Sequence, residues 1–210
     1  MQATKSILSQ AAAPVAVSLK ELKRTRLYSE ELGIDLKKGG DEECFKWFLA
    51  SLLFGGHISE TIASKTYRAF ERHELLTPDK ILQAGWSFLV HPIMWEGGYV
   101  RYDGKKSAQI LRNCETLIET YGGSLKALRD RSGGPRDLED RLMAFHGVGQ
   151  VTTNIFLREL RPYWRFADPE PLPVVRNLAR KFDINMDALN RKTLTFARIE
   201  AGLIRLRREK

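Results

Sequence analysis

Only two cysteines, Cys44 and Cys114, occur among the 210 residues. Two thiols alone cannot complete a four-cysteine iron–sulfur cluster or a structural zinc site. Both fall inside helical patterns, which predicts buried, reduced side chains. No apolar run reaches membrane-spanning length. Residues 1–17 lack the sustained apolar stretch behind a basic start that marks a secretory signal. These absences predict a cytoplasmic protein with no membrane partner. Sustained period-two alternation is missing too, which argues against strands. The four histidines (His57, His73, His91, His146) show no metal-ligand spacing, so no metal is expected. The chain has no Walker loop, dinucleotide fingerprint, nucleophile elbow or tandem repeat.

What is present is a soluble-type composition, 43% hydrophobic and 29% charged, with a formal net charge of +8. The excess base sits at the two ends: residues 1–40 carry +3, residues 190–210 carry +5, and the middle is neutral. This favours a polyanionic partner without identifying one.

The apolar spacing is helical throughout. Residues 1–17 read as a leader. Ser18 caps a helix through Leu19, Leu22, Arg26 and Leu32 that Gly33 ends. Asp41 or Glu42 opens a strongly apolar helix (Phe45, Phe48, Leu49, Leu52, Leu53) expected to be the central one, stopped by Gly55-Gly56. Ser59 caps the next, and Thr77-Pro78 starts another. Trp86 to Trp95 is a short aromatic segment broken by Pro92. A helix from Lys105 or Lys106 runs to Gly122-Gly123. Ser124 caps a short one, and Pro135 opens the helix leading into Phe145. A final helix is expected over residues 186–207, with Leu189, Phe196, Ile199, Leu203 and Leu206 on one stripe.

The most informative stretch spans residues 138–160, centred on His146-Gly147-Val148-Gly149-Gln150. One apolar helical pattern leads in and another leads out, and two glycines flank a single small apolar residue. This predicts a tight helix–hairpin–helix. Val148 would point between the helices. The first N–H groups after Gly149 would be free to face an anion such as a phosphate. An ordinary glycine-turned αα-hairpin would give the same local pattern.

The order of parts resembles the helix–hairpin–helix–Gly/Pro–Asp superfamily of DNA glycosylases, which includes endonuclease III. The resemblance is carried by residues 48–65 (FLASLLFGGHISETIASK), 97–111 (GGYVRYDGKKSAQIL) and 145–157 (FHGVGQVTTNIFL), followed by Asp168. It implies an all-α fold, a two-lobed helical bundle with a helix-hairpin-helix. Residues 18–40 and 160–210 would form one lobe, and residues 41–159 a barrel lobe containing the hairpin at 138–160. It further implies a monomer working on double-stranded DNA in base-excision repair, near the nucleoid. The hairpin would grip the phosphate backbone through Gly147, Val148, Gly149, Gln150 and Thr152, and a monovalent cation on the hairpin carbonyls would fit the pattern. A base would be flipped into the interlobe cleft, where a carboxylate acts beside the sugar.

Asp168 lies at about the family distance from the hairpin, with Glu170 beside it. Counted back from Val174-Val175-Arg176, the family aspartate falls instead on Pro171. A helix-capping role for Asp168-Pro169 is an equal alternative. Val151 occupies the position of the lysine through which bifunctional members form a Schiff base, and no lysine occurs over residues 145–180. The expectation is therefore a monofunctional hydrolase without an iron–sulfur cluster, or else a non-catalytic, structure-specific DNA-binding protein. A helical protein-interaction domain is a third reading. Lys105 and Lys106, at a helix start where cations are disfavoured, hint at a nearby phosphate, although two solvated lysines would look the same. His57 could replace the polar helix-filling residue of the family. Trp86, Trp95, Tyr99 and Tyr102 could stack on a base or serve as core.

Overall fold

A computed structural model describes residues 18–207. The 1–17 leader lies outside the described residues. The protein is all-α, with no strand among the described residues. The elements are α1 (Leu19–Leu22), α2 (Tyr28–Glu31), α3 (Asp41–Phe54), α4 (Glu60–Arg72), α5 (Pro78–Phe88), a π-helical turn (Leu89–Met94), α6 (Trp95–Gly97) and α7 (Asp103–Tyr121). They continue as α8 (Leu125–Asp130), α9 (Pro135–Met143), α10 (Gln150–Leu160), α11 (Pro173–Lys181), a 3-10 turn (Met186–Ala188) and α12 (Leu194–Leu206).

Several starts follow from local chemistry. The hydroxyls of Ser59, Thr77 and Ser124 accept the N–H groups of Ile62, Lys80 and Ala127 at 3.2, 3.4 and 2.9 Å. Pro78, Pro135 and Pro173 sit in first turns, where a missing N–H costs nothing.

Two expected helices are broken. The span from Ser18 to Leu32 splits into α1 and α2, with Leu27 extended between them. Tertiary partners supply the reason. Arg198 and Arg205 of α12 donate to the carbonyls of Thr25 and Arg26 (2.8 and 2.9 Å), while Glu30 takes the Leu27 N–H at 3.0 Å. The buried carboxylate of Glu159 takes the N–H groups of Tyr28 and Ser29, at 3.2 and 3.1 Å. The last helix likewise begins at Leu194 rather than Met186, because Thr193 caps it by accepting from Phe196 N–H at 3.2 Å. Lys192 is held outside by the Arg165 and Ala167 carbonyls.

Two apolar cores result. The larger surrounds α3, whose Trp47, Leu49 and Leu53 have no exposed surface, as a helix apolar on all sides requires. The Trp47 indole N–H donates to the Phe156 carbonyl of α10 at 3.0 Å. The smaller core joins α1, α11 and α12 through Leu22, Val175, Phe196, Ile199 and Leu203. Tyr28, Leu32, Ile34 and Leu36 pack into the larger core, so only the start of the 18–40 stretch belongs with the smaller one. Helix α10 runs along the seam. At its end the buried Arg161 guanidinium pairs with Glu200 of α12 and donates to the Pro169 carbonyl at 2.7 Å.

Candidate nucleic-acid interface

The hairpin forms between α9 and α10. Gly147 adopts φ +65°, a left-handed conformation that disfavours a side chain, and a Cβ there would lie 2.5 Å from Gln109 Nε2. Val148 is buried with Phe145 in the larger core, which pins the turn. Gly149 caps α10 without any side-chain partner, and a Cβ built on it meets open space. Its carbonyl accepts from Thr153 N–H at 3.0 Å. The N–H groups of Gln150, Val151 and Thr152 precede that first helical bond, so the helix itself gives them no acceptor. Gly147, Gly149 and Gln150 are exposed. The result is an open seat for an anion, with the positive end of the helix dipole behind it.

Two carbonyls of the turn are already engaged. His146 C=O already accepts from Gln109 Nε2 (2.9 Å) and Asn113 Nδ2 (3.2 Å), which uses both lone pairs. Phe145 C=O accepts from Val148 N–H.

The surroundings sort the remaining sequence candidates. The Thr152 side chain is buried against Gly55, where any Cβ would overlap its Oγ1, so the end of α3 and the start of α10 are in direct contact. That contact brings the turn carrying the exposed His57 beside the anion seat. Lys105 is exposed at the start of α7, but Lys106 is not a surface cation. The residue is 9% exposed, its ammonium donates to the Leu52 carbonyl near the end of α3 at 3.0 Å, and burial lowers its pKa to about 8. Of the aromatics, Tyr99 is buried, whereas Trp86, Trp95 and Tyr102 are at least half exposed.

Asp168 and Glu170 are both paired with arginines. Asp168 Oδ1 lies 3.2 Å from Arg191 Nε and 3.7 Å from Arg161 Nε. Glu170 pairs with Arg191 at 2.6 Å and with Arg176, and the arginine beside it holds its carboxyl below the usual range. Both carboxylates thus pair with arginines around the 168–173 segment. Glu170 borders a groove of about 350 Å³ with Gln150, Pro173, Arg176 and Arg180, next to the anion seat.

A second pocket, about 170 Å³, lies where the two cores meet. Helix α10 supplies Val151, Ile155 and Arg158 to its wall, one face at helical spacing. Tyr28 and Phe54 come from the larger core's side, Leu172, Val174 and Ile204 from the smaller, and Glu60 and Arg207 complete the lining. The Tyr28 hydroxyl donates to Glu60 Oε1 at 2.5 Å, and burial pushes that phenol up to about 12. Leu172, the N-cap of α11, and Val151, where the resemblance would put a lysine, both stand in this wall. Asp168 is not part of this lining.

Tyr28, Glu60 and Arg158 escaped the sequence reading. They are 32 and 98 residues apart along the chain, with no motif to connect them. The available signal was the Arg158-Glu159 pair set within the apolar run from Ile155 to Leu160.

Among the described residues, no group of three His, Cys, Asp or Glu side chains could hold a metal ion, and no helix is long and apolar enough to cross a membrane. Compared with known proteins, no family model, no curated protein and no solved structure matches this chain.

Proposed function

We propose that the protein is a duplex-DNA-binding protein of the helix-hairpin-helix glycosylase type, which seats a backbone phosphate on the hairpin and receives an extruded base in the pocket between the two cores. One observation carries this reading. The helix whose uncapped first turn forms the anion seat, α10, also lines the pocket with Val151, Ile155 and Arg158. A phosphate held at residues 149–152 is thereby tethered beside the mouth of a pocket walled by aromatic and aliphatic side chains. Extruding a base costs a few kcal/mol of stacking and pairing. Burial against Tyr28, Phe54 and Ile155 would offset that cost. With Val151 in the pocket wall, and with Asp168 and Glu170 paired to arginines outside it, binding rather than lysine- or aspartate-driven chemistry is the function favoured.

Hydrolysis of the N-glycosidic bond is the second reading, favoured by Glu60, a carboxylate in the pocket wall oriented by the Tyr28 hydroxyl. In that role it would stabilise positive charge developing on the sugar. The experiment is a fluorescence-anisotropy titration of a labelled duplex, followed by alkali treatment of the same mixture. Salt-sensitive binding without alkali-dependent cleavage supports the binding reading, and cleavage abolished by Glu60→Gln supports the hydrolytic one. Absence of salt-sensitive binding refutes both.

A further inference from the structure

Two side chains of α7 converge on a single carbonyl of the hairpin. Gln109 Nε2 and Asn113 Nδ2, four residues apart and therefore on one face of the helix, both donate to His146 C=O, at 2.9 and 3.2 Å. Gln109 also lies across Gly147, where a built Cβ would stand 2.5 Å from its Nε2 and 2.9 Å from its Cδ. Asn113 is 1% exposed, and its Oδ1 has no hydrogen-bond partner among the described residues. An unmet buried oxygen costs free energy, so packing alone would be better served by an apolar side chain. What the Asn113 amide supplies is its N–H group.

The consequence follows from the geometry of the peptide group. The His146–Gly147 bond is trans, so its N–H points opposite to its C=O. With the carbonyl fixed toward α7, the Gly147 N–H is turned away from α7. It meets no acceptor among the described residues, and Gly147 is exposed. The next N–H, that of Val148, is used within the turn on Phe145 C=O at 3.1 Å. A glycine has no Cβ to resist rotation of the peptide before it, so the orientation has to be held from outside. Resting on the reading that the hairpin seats a phosphate, we infer that Gln109 and Asn113 are positioning residues for that seat. They hold the His146–Gly147 peptide in the orientation that presents its N–H to the phosphate, which spares the cost of ordering it on binding.

The test reads that one peptide. Of the four histidines only His146 precedes a glycine, so protein isotope-labelled at the histidine carbonyl carbon and the glycine nitrogen gives a single correlated amide signal in NMR. A saturating DNA duplex should move the Gly147 proton of the wild type downfield, as it enters a charge-assisted hydrogen bond. Gln109→Met/Asn113→Leu removes both donors and keeps side chains of similar size. This double variant should bind the duplex about tenfold more weakly, the size of one hydrogen bond to a charged group. Its Gly147 signal should already be displaced before DNA is added, and its melting temperature should stay near that of the wild type. Gln109→Met alone leaves Asn113 on the carbonyl and should lose about threefold in affinity. A Gly147 proton unmoved by bound duplex, or a double variant that binds as tightly as wild type, overturns the positioning role and leaves the DNA-binding reading standing. A large loss of melting temperature in both variants overturns it as well, since the two amides would then be structural. Absence of salt-sensitive binding by the wild type overturns both readings.

Discussion

Lys106 allows a test in which the sign, the size and the pH window all come from the structure. Its ammonium is held on the Leu52 carbonyl, and burial brings its pKa down to about 8 from the ordinary 10.5 of a lysine. In the unfolded chain the side chain keeps its proton to higher pH, so between about pH 8 and pH 10.5 the unfolded state binds more protons than the folded one. Stability should therefore rise with pH across that window. A displacement of about 2.5 pKa units corresponds to about 3 kcal/mol at 1.36 kcal/mol per unit. Lys106→Met removes the titration together with the hydrogen bond to Leu52. At pH 7, relief of the buried charge and loss of the bond, each worth about 1–3 kcal/mol, should nearly cancel. Urea unfolding at pH 7, 8, 9 and 10 measures the difference. Wild type should gain about 2 kcal/mol on Lys106→Met between pH 8 and pH 10. Parallel pH profiles for the two proteins would refute the reasoning and place the ammonium in water.

Other expectations follow from single contacts. Gly55→Ala should cost about 1–3 kcal/mol in urea unfolding, because the new methyl would lie 2.0 Å from Thr152 Oγ1 and 3.0 Å from its Cβ. Retained stability would show that α3 and α10 can separate. Arg161→Met should cost about 3–5 kcal/mol by leaving Glu200 buried and unpaired, read as a lower melting temperature, and an unchanged one would contradict the seam described. Asp168→Asn should weaken the arginine cluster by about 1 kcal/mol or less while leaving DNA affinity unaltered, and a large loss of affinity would give this carboxylate a role at the DNA. Val151→Lys places an amine at the pocket lip, where borohydride should trap it on an abasic duplex as a covalent adduct. No adduct would remove the pocket from the path of the sugar.

The parts of the molecule governed by local chemistry were legible in the sequence. Ser59, Thr77, Ser124 and Pro135 start helices where their side chains or rings predict, and the solid apolar pattern of α3 is the centre of the larger core. The turn at Gly147 was legible because the positive φ it needs is a property of the glycine pattern itself. What could not be read depends on partners far along the chain. The break at Leu27 exists because residues of α12 take the Thr25 and Arg26 carbonyls. Lys106 reads as a solvated cation until the end of α3 is placed over it. Asp168 and Glu170 read as candidate catalytic carboxylates until Arg161, Arg176 and Arg191, up to 23 residues away, close on them. The pocket joins Tyr28, Glu60 and Arg158, and periodicity cannot distinguish Arg158 from a surface residue on α10.

The most direct test of the central claim is duplex binding by Gln150→Glu beside wild type at several salt concentrations. Gln150 is exposed at the first position of α10, where a carboxylate favours the helix, so the variant should fold as well as wild type or better. At the same time it places a negative charge in the proposed phosphate seat. Wild type, with about three phosphates held near the hairpin, should lose about 40-fold in affinity between about 50 mM and 200 mM salt. The variant should bind at least about tenfold more weakly at the lower salt and show a shallower salt slope, as expected when a phosphate contact is lost. Equal affinity and equal slope in the two proteins would contradict the account, because DNA would then be meeting some other face of the molecule.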